Sequence, residues 1–215
     1  MNGREIEVKF YVSDLRRVEA HLLELGAQLS RPRVLETNIR FDLPDRSLSA
    51  GSRVLRLRQA DDIRITYKGK AEIVDGVFSR TELEFCVGDF ETARQVLEAL
   101  GYVQIAVYEK FRTTYQWQTS EVSEDLGGLV HIMLDELPYG DFVEIEGAGA
   151  DSIRATATRL ELDWEAAVAA SYLALFERLC AQSELDPAKL TFAALNDFQP
   201  SADRLNVRPA DLRQY

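Results

Sequence analysis

In Glu5-Ile6-Glu7-Val8-Lys9-Phe10 charged and apolar side chains alternate at period two, which reads as a β-strand with Glu5, Glu7 and Lys9 on one face and Ile6, Val8 and Phe10 on the other. The pattern returns at Arg80-Thr81-Glu82-Leu83-Glu84 and at Phe142-Val143-Glu144-Ile145-Glu146. A single strand of this kind is usually the wet face of an antiparallel sheet. Three such strands, far apart in the chain, ask for a common explanation.

A second regularity ties two of them together. After the first strand, Ser13 and Asp14 are helix N-cap candidates, and Leu15, Val18, Leu22, Leu23 and Leu25 recur at helical spacing up to Gly26. After Glu82-Leu83-Glu84, Asp89 opens a helix in which Ala93, Val96, Leu97 and Leu100 face inward before Gly101. The two stretches form a pseudo-repeat, the second copy being two residues shorter between E-x-E and Gly. Further strands are predicted at Val34–Phe41, Arg53–Gln59, Ile63–Lys68, Tyr108–Tyr115, Val130–Leu134 and Phe142–Glu146, with a hairpin around Gly127-Gly128. That gives about eight short strands with only two helices between them, an α+β chain with a closed antiparallel barrel. Ile153–Leu179 is Ala/Leu-rich and expected to be a long or broken helix on the barrel exterior. Beyond Ser183, Leu190, Phe192 and Leu195 are expected to dock, and the end around Pro200 and Pro209 to be loose.

The totals narrow the chemistry. A chain of 215 residues, 46% hydrophobic and 28% charged, has the composition of an ordinary globular protein with its own core. No apolar run is long enough to span a bilayer, and Arg4, Glu5, Glu7 and Lys9 stand where a signal peptide needs apolar residues, so the cytoplasm is expected. Cys86 and Cys180 are expected to be reduced and buried. With two histidines and no C-x-x-C, a Cys/His zinc cage is excluded, and any metal must be a hard ion on oxygen ligands. A net charge of -11 argues against nonspecific binding to nucleic acid, yet leaves room for a concentrated cationic pocket.

Strand parity sorts the charges into shared faces: Glu5, Glu7 and Lys9; Arg56 and Arg58; Lys68 and Lys70; Arg80, Glu82 and Glu84; Lys110 and Arg112; Glu144 and Glu146. The alternate positions are apolar: Ile6, Val8, Leu55, Leu57, Tyr67, Leu83, Phe111 and Ile145. Parity alone does not say which set points in. If the apolar set lies under the helices, the charged set fills the bore. Such burial is costly unless the charges are paired, hydrated or holding a ligand. A mixture of both signs fits a phosphate ligand bridged by Mg²⁺ or Mn²⁺.

Glu5-x-Glu7-x-Lys9, Leu55-Arg56-Leu57-Arg58, Thr66-Tyr67-Lys68-Gly69, Arg80-x-Glu82-x-Glu84, Lys110-x-Arg112 and Leu134-Asp135 with Gly140-Asp141-Phe142-x-Glu144-Ile145-Glu146 together resemble the CYTH superfamily, the triphosphate tunnel metalloenzymes. The match runs in order to about residue 176, where Ser171-Tyr172-Leu173 resembles the family's C-terminal helix. Two positions depart: Cys86 stands where a repeat of Lys9 would fall, and Arg40 where an aromatic residue is common.

The resemblance implies an eight-stranded antiparallel tunnel over residues 1–180 and an extension over 181–215, partly docked or loose. It implies phosphate binding by Lys9, Arg56, Arg58, Lys68, Arg80, Lys110 and Arg112. Glu5, Glu7, Glu82, Glu84, Asp135, Glu144 and Glu146 would hold Mg²⁺ or Mn²⁺ or position a nucleophile, with Glu5, Glu7 and Lys9 as the catalytic set. The expected activity is hydrolysis of tripolyphosphate or an organic triphosphate, followed by adenylyl cyclisation of ATP, then by noncatalytic polyphosphate binding. The expected partner is the small triphosphate itself, without nucleic acid or membrane, the chain acting as a monomer or homodimer.

Overall fold

The computed structural model describes residues 3–70, 72–74, 77–118, 128–198 and 201–212. Strand β1 (Gly3–Val12) leads into α1 (Leu15–Glu24), followed by β2 (Gln28–Asp42), the single turn α2 (Ser47–Ala50), β3 (Val54–Gln59) and β4 (Ile63–Lys68). The short β5 (Glu72–Val74) precedes β6 (Val77–Cys86), α3 (Phe90–Ala99), β7 (Val103–Gln118), β8 (Leu129–Leu137) and β9 (Gly140–Glu146). The chain ends with α4 (Ala150–Arg159), a 3-10 turn at Trp164–Ala166, α5 (Tyr172–Cys180), β10 (Lys189–Leu190) and α6 (Ala202–Leu205).

Eight strands pair in the order β1-β9-β8-β7-β2-β3-β4-β6, and β6 pairs back onto β1, so the path returns to its start. Among these eight every pairing is antiparallel, while β5 adds to β6 and β10 lies parallel to β7 outside the ring. The pseudo-repeat is real in three dimensions. Asp14 caps α1 by accepting from the Arg17 amide at 3.1 Å, and Asp89 caps α3 from the Thr92 amide at 2.7 Å. Gly26 and Gly101 follow with φ of 81° and 94°, the left-handed stop that glycine adopts without a Cβ clash. The two E-x-E strands they follow, β1 and β6, are hydrogen-bonded neighbours.

The outward strand faces carry the core. Val8, Phe10, Ile132, Val143 and Ile145 pack under Val18 and Leu22 of α1 and Ile153 and Ala157 of α4. Ile39, Phe41, Leu55 and Leu57 pack under Ala93 and Leu97 of α3. Each buried aliphatic side chain contributes about 1.5–3 kcal/mol, which anchors the charged faces inward.

Several expectations are corrected. Strands β2 and β7 are longer than the sequence pattern indicated, and they make the most extensive pairing. The apolar alternation on β6 is not covered: Leu83 and Phe85 are exposed. Cys86 at the end of that strand is exposed and Cys180 half-buried, so neither thiol is fully interior. The Ile153–Leu179 stretch is two helices rather than one, and only α4 packs on the exterior. Helix α5 packs instead against Tyr11, Leu137 and Phe142, residues that share strand faces with Lys9, Asp135 and Glu144 and so point into the barrel. The C-terminal tail is not loose around Pro209. Ala210 donates its amide to the Tyr11 carbonyl at 2.8 Å, and buried Asp211 accepts from the Ser13 and Asp14 amides and the Ser13 hydroxyl. Pro200 and Gly127 lie outside the described residues. Among the described residues, no helix is long and apolar enough to cross a membrane.

Candidate active site

Inside the ring a cavity of about 670 Å³ is lined by residues from β1, β2, β3, β4, β6, β7 and β9 and by the segment 168–173 leading into α5. The period-two pattern dictates its charge, because each strand that buries apolar residues outward turns its alternate residues inward. Lys9, Arg56, Arg58, Lys68, Arg80, Lys110 and Arg112 all line it, as do Glu7, Glu82, Glu84, Glu144 and Glu146. The Glu5 side chain lies outside the described residues. Asp135, read from the sequence as a metal ligand, does not reach the cavity. It is completely buried, and its two oxygens accept from Lys110 Nζ at 2.9 Å, from Arg112 Nε and Nη2 at 2.6 Å each, and from the Tyr172 hydroxyl at 2.7 Å.

Register across β7, β8 and β9 explains this. Arg112 is opposite Asp135, Lys9 is opposite Glu144, and Lys110 is opposite Glu36 on β2, so acids and bases meet as cross-strand partners. Arg112 and Lys9 each hold Glu144 at 3.2 Å, and Lys110 also lies 3.6 Å from Glu36. Burial alone would raise the carboxyls of Asp135 and Glu144. The surrounding Lys9, Lys110 and Arg112 outweigh it, holding Asp135 below and Glu144 well below the usual carboxylate range. Lys9 is likewise held charged: burial pulls it down, while Glu144 and Glu7 raise it above its ordinary value. The Tyr172 phenol stands between Lys9 and Lys110, whose ammonium groups lie 4.7 and 5.2 Å from its ring centre. Burial, with Asp135 and Glu144 beside it, pushes that phenol well up, so it stays a donor.

On the other side, Lys68 holds Glu82 at 3.0 Å, Arg56 lies 3.8 Å from Glu84, and Glu84 itself is taken by Arg64 at 2.6 Å and by the Thr66 hydroxyl at 2.7 Å. Arg58 reaches Glu36 at 3.4 Å and Asp62 at 3.1 Å. Glu36 and Asn38 escaped the sequence reading, and Arg40 entered it only as a departure from the family pattern; the three occupy alternate positions of β2, opposite Lys110, Arg58 and Arg56. Their E-x-N-x-R spacing is the signal that could have found them. Tyr108 also lines the cavity. Burial would raise its phenol, but Arg56, Lys110 and Arg40 draw it below the ordinary tyrosine range.

A hard divalent ion is compatible with the donors present. Glu7 and Glu146 are directly opposite on β1 and β9, a like-charge pair that a cation between them would stabilise. Among the described residues, no three acidic, His or Cys side chains stand close enough together to hold a metal ion by themselves. An ion held here would take few protein carboxylates and complete its shell with water and phosphate oxygens, the usual habit of Mg²⁺.

Residues 3–190 match the family model described as CYTH domain. A protein of Methanocaldococcus jannaschii named "putative adenylate cyclase" is 29% identical over 150 residues, covering 68% of this chain and 78% of that protein. The solved structure of a "putative adenylate cyclase" from Vibrio parahaemolyticus shares the fold at a TM-score of 0.65 and 20% identity, covering 80% of this chain and 97% of that one. So does a "putative adenylyl cyclase" from Hippeastrum, described as revealing a dominant triphosphatase activity, at a TM-score of 0.58 and 18% identity over 80% and 95% of the two chains.

Proposed function

Because the chain belongs to the CYTH family, whose members are adenylate cyclases or triphosphatase-like enzymes generally dependent on divalent metal, we propose that it hydrolyses a triphosphate: tripolyphosphate or an organic triphosphate such as thiamine triphosphate or a nucleotide. The observation that carries the reading is the convergence of eight Lys and Arg side chains and five Glu side chains on one cavity. Phosphoryl transfer asks little covalent chemistry of a protein, so grip and charge neutralisation dominate.

The residues divide that work. Lys9, Lys110 and Arg112 are held in place by Asp135, Glu144 and Tyr172, and their remaining N–H groups are available to phosphate oxygens. Arg56, Arg58, Lys68 and Arg80 approach from the facing strands. The segment entering α5, capped by Ser171, brings a helix N-terminus to the cavity wall and adds positive potential there. Bound Mg²⁺ or Mn²⁺ would supply further neutralisation of the phosphate charge, with Glu7 and Glu146 as its first protein ligands. Glu7, 3.9 Å from Lys9 and 3.7 Å from Arg80, is also the carboxylate placed to orient the attacking water.

Cyclisation of ATP is the second reading, favoured by the name of the Methanocaldococcus relative. It needs, in addition, a hold on ribose and adenine that aims the 3′-hydroxyl at the α-phosphorus. Hydrolysis needs only a terminal phosphate and a water. The test is turnover by the parent and by Glu7→Ala and Lys68→Ala with Mg²⁺ or Mn²⁺, monitored by circular dichroism for fold. Each variant is expected to lose at least about a hundredfold in rate while staying folded. Near-parental rates in both would contradict the assignment.

A further inference from the structure

Among the described residues, seven of the eight cations lining the cavity have a carboxylate within ion-pair distance: Lys9, Arg56, Arg58, Lys68, Arg80, Lys110 and Arg112. Arg40 is the exception. It lies on the inward face of β2, cross-strand from Arg56, and its neighbours within electrostatic reach include the Tyr108 phenol, the guanidinium groups of Arg56 and Arg80, and Asp42. The Arg40 Nε is buried without a hydrogen-bond partner, and so are the Nε atoms of Arg56 and Arg58 on the adjoining strand. The nearest acid on its own strand, Asp42, is occupied: it accepts from the amides of Leu43, Leu48 and Ser49 and from the Ser49 hydroxyl. Burial, with the like charges of Arg56 and Arg80, outweighs the opposing pull of Tyr108 and Asp42 and holds the Arg40 guanidinium below its ordinary value.

A cation with no carboxylate at ion-pair distance, set beside two others, is unfavourable and is relieved by an anion of high charge density. A neutral ring or sugar placed there would leave the charge buried against an apolar group, a penalty that works as discrimination against such a ligand. A terminal phosphate carries two ionisable oxygens and accepts bidentate donation from guanidinium groups. Building on the triphosphatase reading, we propose that Arg40, with Arg56 and Arg80, forms a subsite for the second terminal phosphate of inorganic tripolyphosphate, the end that carries the organic group in ATP or thiamine triphosphate, and so selects tripolyphosphate over triphosphate esters. Arg40 is thereby the specificity-determining residue of the tunnel.

The experiment compares the parent with Arg40→Gln and Arg40→Lys in three readouts. Initial rates with Mg²⁺ on tripolyphosphate, ATP and thiamine triphosphate give the kcat/KM ratio of tripolyphosphate to each ester. Calorimetric titration of tripolyphosphate and ATP without metal gives the same ratio for binding. Thermal melting without ligand reports any structural role. The expected result is a parental preference for tripolyphosphate that falls about tenfold or more in R40Q, the loss of one charge-assisted contact, and is partly restored in R40K. The unliganded melting temperature of R40Q should equal or exceed the parent's, because no partner is orphaned. An unchanged ratio in R40Q, or a melting temperature lowered by several degrees, overturns the assignment of Arg40 and leaves the triphosphatase reading intact. A parent that turns over no triphosphate but binds tripolyphosphate preferentially, with the preference lost in R40Q, overturns the triphosphatase reading and leaves Arg40 in place.

Discussion

On the side of the tunnel built by β1, β7, β8 and β9, Lys9, Lys110 and Arg112 share Asp135, Glu144 and Tyr172 over distances of 2.6 to 3.3 Å. On the side built by β2 and β3, Arg56 stands 3.8 Å from Glu84, Arg58 stands 3.4 Å from Glu36 and 3.1 Å from Asp62 at the strand end, and Arg40 has no carboxylate partner among the described residues. The first side is a closed network in which desolvation is offset by short, charge-assisted bonds. The second keeps unspent N–H groups on Arg40, Arg56 and Arg58. One side therefore fixes geometry, and the other keeps donors free for the phosphate proposed above.

The sharpest way to break this contrast is to remove the hub of the paired side. Asp135→Asn leaves buried Lys110 and Arg112 short of one negative charge, and is expected to cost about 3–5 kcal/mol in denaturant unfolding. Next is Tyr172→Phe, which deletes the hydroxyl whose single proton faces Asp135 at 2.7 Å and Glu144 at 3.3 Å. Its expected cost is about 1–3 kcal/mol by the same measurement.

A third variant lies off both sides. Burial, with Glu136 and Asp14 nearby, pushes the Asp141 carboxyl up to about 6, above its unfolded value. The folded state therefore binds the proton more tightly, and as pH rises from about 4 through 6 its ionisation costs stability that remains lost above that range. Asp141→Asn should match the parent near pH 3.5 and exceed it at pH 7 by about 1–2 kcal/mol, after discounting for the solvent that reaches this half-buried group. Melting curves across pH 3.5–8 read this directly; a gain that is the same at both ends contradicts it.

The smallest stability effect is expected on the open side. Arg56→Gln should unfold within about 1 kcal/mol of the parent, since Glu84 keeps Arg64 and Thr66, yet turnover should fall about a hundredfold. A stability loss as large as that of Asp135→Asn would erase the distinction between the two sides.

Much of this was legible in strand parity. The alternation at Glu7/Lys9, Arg56/Arg58, Lys110/Arg112 and Glu144/Glu146 placed those residues on shared faces, and the structure turns all eight toward one cavity. What parity leaves open is register. Whether Asp135 serves a metal or the two cations beside it depends on β8 pairing Asp135 with Arg112, a relation between strands that neither strand encodes alone. The β2 column went unread, although a strand was predicted at Val34–Phe41, because its inward residues Glu36, Asn38 and Arg40 repeat neither the E-x-E nor the paired-cation pattern of the other strands, and the register shifts between Arg40 and Phe41. The inward packing of α5 was hidden for a similar reason. Tyr172, Leu175, Phe176 and Leu179 make an ordinary amphipathic stripe, and only Tyr11, Leu137 and Phe142, inward residues that are apolar, reveal that the stripe meets the barrel interior.

In the proposed reaction the tunnel grips a triphosphate and directs water to its terminal phosphorus. The most direct measurement is product analysis by phosphorus NMR after incubation with Mg²⁺ or Mn²⁺ and, separately, tripolyphosphate, thiamine triphosphate and ATP. Orthophosphate appearing together with the corresponding diphosphate is the predicted result. Cyclic AMP with pyrophosphate from ATP, and no orthophosphate from any of the three, would contradict it.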